Sequence, residues 1–137
     1  MQANYHVSTD RSKLDLNTII DYLSNRSYWA KGRTRETIEK SIANSTCFGL
    51  YDLENKQVGF ARVVTDFCVF AWLMDVFILE EFRDKGLGKM LMKEIIEFED
   101  FQGIRRWGLG TRDAHKLYEK FGFQLIDKPE NMMERVL

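Results

Sequence analysis

Residues 82–89, FRDKGLGK, set two glycines, Gly86 and Gly88, among three cations, Arg83, Lys85 and Lys89. Missing side chains let an anion approach the backbone, and cations can add charge-assisted contacts. If a helix begins near Gly86, its first unpaired amides and its dipole favour an anionic guest. The same residues also suit a plain strand-to-helix turn with its cations in water. Spacing excludes two familiar phosphate loops. A Walker loop needs G-x-x-x-x-G-K-[ST], but Arg83 stands at the first glycine and Met90 at the hydroxyl. A dinucleotide fingerprint needs a third glycine where Leu91 stands.

Other residues able to do chemistry are scattered. Asp66 and Asp75 are carboxylates at the end of one apolar run and inside the next. Tyr118, in LYEKFGF, lies on an apolar helical stripe, which fits a core tyrosine with a hydrogen-bonded hydroxyl. His115 lies three residues earlier and reads as a surface histidine or one facing a site mouth. His6 and His115 have no metal-binding spacing, so no metal is expected. Cys47 and Cys68 lie outside any C-x-x-C pattern and read as reduced thiols, with a relay through Cys68 the lesser alternative.

The elements that must hold these residues follow from periodicity. A strand is expected near Tyr5–Ser8, then a helix with Leu16, Ile19, Ile20 and Leu23 on one side. A second short helix follows Thr34, a candidate N-cap. TCFGLYDL, QVGFARVVTD and VFAWLMDVFIL read as three strands in an antiparallel meander. Strict alternation along the third places Trp72, Met74, Val76 and Ile78 on one face and Asp75 on the other. Beyond FRDKGLGK, Leu87, Met90, Leu91, Ile95 and Phe98 line one side of a helix. IRRWGLGT then reads as a parallel strand reached by a right-handed crossover. A short helix with Ala114, Leu117, Tyr118 and Phe121 ends at Gly122, and FQLI and MMERVL are expected as closing strands.

Length and composition bound the function. At 137 residues, with no repeat or linker, the chain is read as one domain, residues 1–137. A net charge of −1 and 45% hydrophobic residues exclude disorder and a broad nucleic-acid footprint. No apolar leader opens the chain, and its longest apolar run is short and interrupted by Asp75, so a cytoplasmic protein without membrane contact is expected. The apolar MMERVL could complete the sheet or pair with another subunit in a homodimer.

Residues 83–88, RDKGLG, match every fixed position of [Arg/Gln]-x-x-Gly-x-[Gly/Ala] after a strand and at a helix start. In this the chain resembles the GNAT superfamily of N-acetyltransferases. DVFILEEF before the motif resembles the family's fourth strand and its exit, and LYEKFGF resembles its second motif. The likeness follows element order over nearly the whole chain, strongly from Trp72 to Phe123 and weakly before Thr46.

The resemblance implies an α/β GNAT fold, a mixed, mostly antiparallel sheet flanked by helices, and acetyl-CoA as cosubstrate. It implies that the amides of Asp84, Lys85, Gly86, Leu87, Gly88 and Lys89, helped by Arg83, hold the pyrophosphate. Val76, Phe77 and Ile78 would pair with the pantetheine arm, the Val76 amide facing the acetyl carbonyl. Tyr118 would protonate the leaving thiolate. Where family members often carry a catalytic glutamate, this chain has Trp72 and Met74, so Asp75 or Asp66 is the remaining candidate base. Tyr28, Trp29, Asp66 and Phe67 are the expected acceptor pocket, for a small amine or a peptide amino group. The rival is a non-catalytic acyl-CoA sensor of the same fold.

Overall fold

A computed structural model describes residues 2–137; Met1, the first residue of the polar N-terminal stretch, lies outside them. Five strands, β1 (Tyr5–Ser8), β2 (Thr46–Asp52), β3 (Gln57–Thr65), β4 (Phe70–Ile78) and β5 (Arg106–Leu109), form one sheet in sequence order. The first four run antiparallel, and β5 lies parallel to β4. The sheet is therefore mixed and mostly antiparallel, as expected, because only the helical crossover reverses the hairpin pattern.

Two layers of helix cover it. On one face lie α1 (Leu16–Asp21), continued by a π-helical turn over Tyr22–Arg26, and α2 (Arg35–Ala43). Asp15 caps α1 by accepting the Thr18 amide, and Thr34 caps α2 by accepting that of Thr37. Their apolar residues, Ile19, Leu23, Ile38 and Ile42, join Phe60 and Phe77 of the sheet in one core. On the other face, α3 (Leu87–Ile96) and α4 (His115–Glu119) bury Leu91, Met92, Ile95 and Tyr118 against Ala61, Val63, Ala71 and Leu73. Met92, absent from the expected stripe, is fully buried, while Phe98 lies beyond the helix end.

Two expectations are corrected. FQLI and MMERVL form no strand; residues 124–137 make only a 3-10 turn at Pro129–Asn131, and Leu125, Met133 and Val136 are exposed. Apolar residues make a strand only where another strand takes up their backbone hydrogen bonds, and here none does. Strict alternation along β4 also fails. Phe60 pairs with Phe77 and Arg62 with Met74, so Ala61 alone opposes Asp75 and Val76. This is a β-bulge, with Asp75 left-handed at φ 56°. Consequently Val76 and Ile78 pack on the α3 and α4 side with Ala71 and Leu73, while Phe77 faces the α1 and α2 side. Asp75 thus shares a face with Arg62, the cross-strand neighbour of Met74, rather than standing opposite Met74.

Candidate active site

The bulge is where the sheet opens. β4 and β5 are paired from Phe70 with Arg106 to Leu73 with Leu109, and there the pairing stops. β4 continues to Ile78, while the chain after β5 leaves through residues 110–114 toward α4. Between them lies a cavity of about 520 Å³. Its walls are residues 72–76 of β4, residues 109–114, Tyr118, and Tyr28, Trp29 and Arg33 from the loop ahead of α2. A second cavity of about 490 Å³ lies beyond residues 109–111 and shares Trp72 and Tyr118 with the first. Close strand packing beside both needs a glycine: a Cβ on Gly108 would meet the Trp72 ring at 2.5 Å.

Tyr118 is buried, with its ring in the α3 and α4 core against Phe123. Its hydroxyl makes no hydrogen bond among the described residues, and the residue lines both cavities, unlike a core tyrosine with a satisfied hydroxyl. Burial, then the fields of Tyr28 and Asp113, push its pKa up to about 12. The phenol therefore keeps its proton throughout the neutral range.

Asp75 is buried and fully engaged. One oxygen accepts from Trp29 Nε1 at 2.8 Å; the other accepts from Arg33 Nη1 at 2.8 Å and Arg62 Nε at 2.6 Å. Both carboxylate oxygens are engaged by these donors, two of them guanidiniums and one of those buried, which is the arrangement of an anchor. Arg33 and Arg62 were not singled out from the sequence. The available signal was one arginine and one aspartate in neighbouring apolar strands, since buried charges must be paired.

The expected acceptor pocket divides. Tyr28 and Trp29 do line the cavity, their rings edge to face at 5.0 Å. The Arg112 guanidinium sits 3.7 Å above the Tyr28 ring, and the Arg112 amide donates to the Tyr28 hydroxyl at 3.0 Å. Asp66 and Phe67 line neither of these two cavities. Asp66 holds the β3 to β4 turn, accepting the amides of Cys68, Val69 and Phe70, which draw its carboxyl down to about 2. The Phe67 ring lies 5.9 Å from that of Phe101. Cys68 is exposed in the same turn, and His115 lines the second cavity.

At the far end of β4, residues 83–89 make the strand-to-helix connection and line neither cavity. Asp84 and Gly86 are left-handed, at φ 63° and 76°. Gly86 is the N-cap of α3 and supplies no side-chain hydrogen bond, so nothing of its own blocks the first amides of the helix. Leu87 is buried and has only its backbone to offer. Arg83 is committed elsewhere: Nε donates to the Ile78 carbonyl at 3.0 Å and Nη2 to the Tyr22 hydroxyl at 2.6 Å. It fastens the end of β4 to the first helical layer, so the open cations here are Lys85, half-buried, and Lys89, exposed.

A family model described as an acetyltransferase (GNAT) domain matches residues 43–125, more than half of the chain. The chain belongs to the GNAT family of acetyltransferases. A GNAT-family structure from Xanthomonas campestris pv. campestris is 43% identical, with a TM-score of 0.93 over 97% of this chain and 93% of that one. A protein of Gibberella zeae named "Putative acetyltransferase" is 29% identical over 87% of this chain and 78% of its own length. A GNAT structure from Elizabethkingia anophelis with acetyl-CoA bound shares the fold, at 17% identity and a TM-score of 0.67 over 98% of this chain and 88% of that one. GNAT membership implies acyl-CoA-dependent acetyl transfer. Among the described residues no helix is long and apolar enough to cross a membrane, and no His, Cys, Asp and Glu cluster suits a metal.

Proposed function

We propose that this GNAT protein transfers an acetyl group from acetyl-CoA to a primary amine of a small molecule or peptide, by direct attack in a ternary complex. The observation that carries this is the opening at the Asp75 bulge. It leaves the backbone of β4 beyond Leu73 unpaired on the β5 side and sets Tyr118 in the wall of the resulting cavity.

The residues fit the cosubstrate. The amides that begin α3, with Lys85 and Lys89, hold the pyrophosphate, while Gly86 and Gly88 keep the approach to the backbone open. Val76, Phe77 and Ile78 offer strand-like backbone to the pantetheine arm, in the manner of an added strand. Bound acetyl-CoA supplies an activated acetyl thioester at the cavity. The Val76 amide donates to its carbonyl oxygen, where negative charge develops as the amine nitrogen bonds to carbon. As the carbon–sulfur bond breaks, Tyr118 gives its proton to the leaving thiolate; the proton lost by the attacking nitrogen passes to solvent, from which the phenolate takes one back. Asp75 takes no proton; it holds Trp29 and Arg33 in place as the acceptor-side wall.

Thiol release from acetyl-CoA across an amine panel tests this. Turnover with at least one primary amine, lost in Tyr118→Phe while acetyl-CoA still protects that variant against heat, is the expected result. Protection without release toward any amine would leave the sensor reading in its place.

A further inference from the structure

Of the two carboxylates in the acceptor cavity, only one is spoken for. Asp75 is saturated by Trp29, Arg33 and Arg62. Asp113 accepts no hydrogen bond and joins no ion pair among the described residues, and it stands close enough to Tyr118 for its charge to be felt there. On the cationic side, Arg33 spends Nη1 on Asp75 and its guanidinium has no other hydrogen-bonded partner among the described residues, although its side chain is 21% exposed and lines the cavity. The Arg112 guanidinium lies over the Tyr28 ring without a carboxylate partner. A stacked guanidinium directs its N–H groups outward in its own plane, where they match a carboxylate or phosphate edge.

The cavity wall holds Arg33 and Arg112 against Asp75 and Asp113, and Arg62, buried behind the wall, already bonds Asp75, so the open guanidinium edges of Arg33 and Arg112 outnumber the one open carboxylate, Asp113. That balance does not suit a polycation. We infer that the acceptor carries an anionic group besides its amine, bound by Arg112 and the spare N–H groups of Arg33, with Asp113 receiving the ammonium. Carboxylate and phosphate share this chemistry. Tyr28, Trp29 and Trp72 add ring faces for an apolar body between the two charges. The inference rests on the proposed acetyl transfer and adds the class of acceptor.

The test uses acceptors that differ in charge, each with acetyl-CoA: phenylalanine, its amide and phenethylamine, which share one body, and O-phosphoethanolamine and spermidine. Phenylalanine or O-phosphoethanolamine is expected to give a kcat/KM at least about tenfold above the uncharged-tail amines and spermidine, the worth of one good charge-assisted contact. In Arg112→Gln that preference should collapse toward one, and Arg112→Lys should restore part of it. Phenylalanine preferred over O-phosphoethanolamine assigns a carboxylate, the reverse a phosphate, and either supports the inference. Spermidine or phenethylamine turned over as well as the anionic amines overturns it and leaves acetyl transfer standing. No turnover of any amine, with acetyl-CoA bound, overturns both.

Discussion

The connection that follows β4 and the cavity at the β4 bulge are built by different means. After β4, residues 83–89 offer backbone: left-handed Asp84 and Gly86, a helix start whose N-cap is a glycine, and a buried Leu87 whose side chain serves only the core. At the bulge, the cavity is built from side chains drawn from three segments far apart in sequence, residues 28–33, 72–76 and 109–118, with one buried carboxylate holding its Trp29 and Arg33 wall. A backbone site tolerates many side chains provided the glycines stay. A side-chain site depends on each charge keeping its partner, so substitution there should cost most.

The sharpest way to break the contrast is Asp75→Ala. It leaves Arg62 buried without its partner and frees Trp29 and Arg33, and a loss of about 3–5 kcal/mol is expected in chemical denaturation. Asp75→Asn keeps an acceptor for Trp29 and tolerates the left-handed backbone, so it should lose less. Tyr118→Phe should cost about 100-fold or more in kcat at little change in stability, because the hydroxyl has no protein partner to lose. Since its pKa is raised to about 12, this phenol should impose no fall in rate below about pH 10.

Gly86→Ala probes the backbone end. At φ 76° an alanine costs about 1–2 kcal/mol, and acetyl-CoA affinity by calorimetry should fall about tenfold or more. Smallest is Asp66, in neither region. Its folded-state pKa of about 2 lies below the unfolded value near 3.9, so its contribution is full above about pH 4 and lost as pH falls through about 2. Asp66→Ala should flatten acid denaturation in that window, and acceptor KM at neutral pH should move by less than about twofold. A larger rise in KM would return Asp66 to the acceptor site.

What could be read along the chain was whatever neighbours in sequence decide. Thr34 caps the second helix because its hydroxyl reaches an amide three residues on, and Gly86 begins the third because few other residues sit comfortably at that backbone angle. The meander and its parallel addition followed from runs and spacers. Asp66 could not be placed from sequence because a carboxylate at a strand end suits a turn as well as a site, and nothing in its type says which. The closing strands misled because apolar composition does not supply a partner strand.

The sequence by itself determined the order of elements as far as the last helix, the glycine-rich connection ahead of the third helix, and the helix that carries Tyr118. Only the tertiary structure decided that β4 bulges at Asp75, since a bulge is a mismatch between two strands and one strand's pattern cannot contain it. From that extra residue follow the reversed faces of Val76 and Phe77 and the pairing of Asp75 with Arg33 and Arg62. Charges separated by 13 and 42 residues meet because burying a carboxylate among apolar strands is affordable only where cations arrive with it.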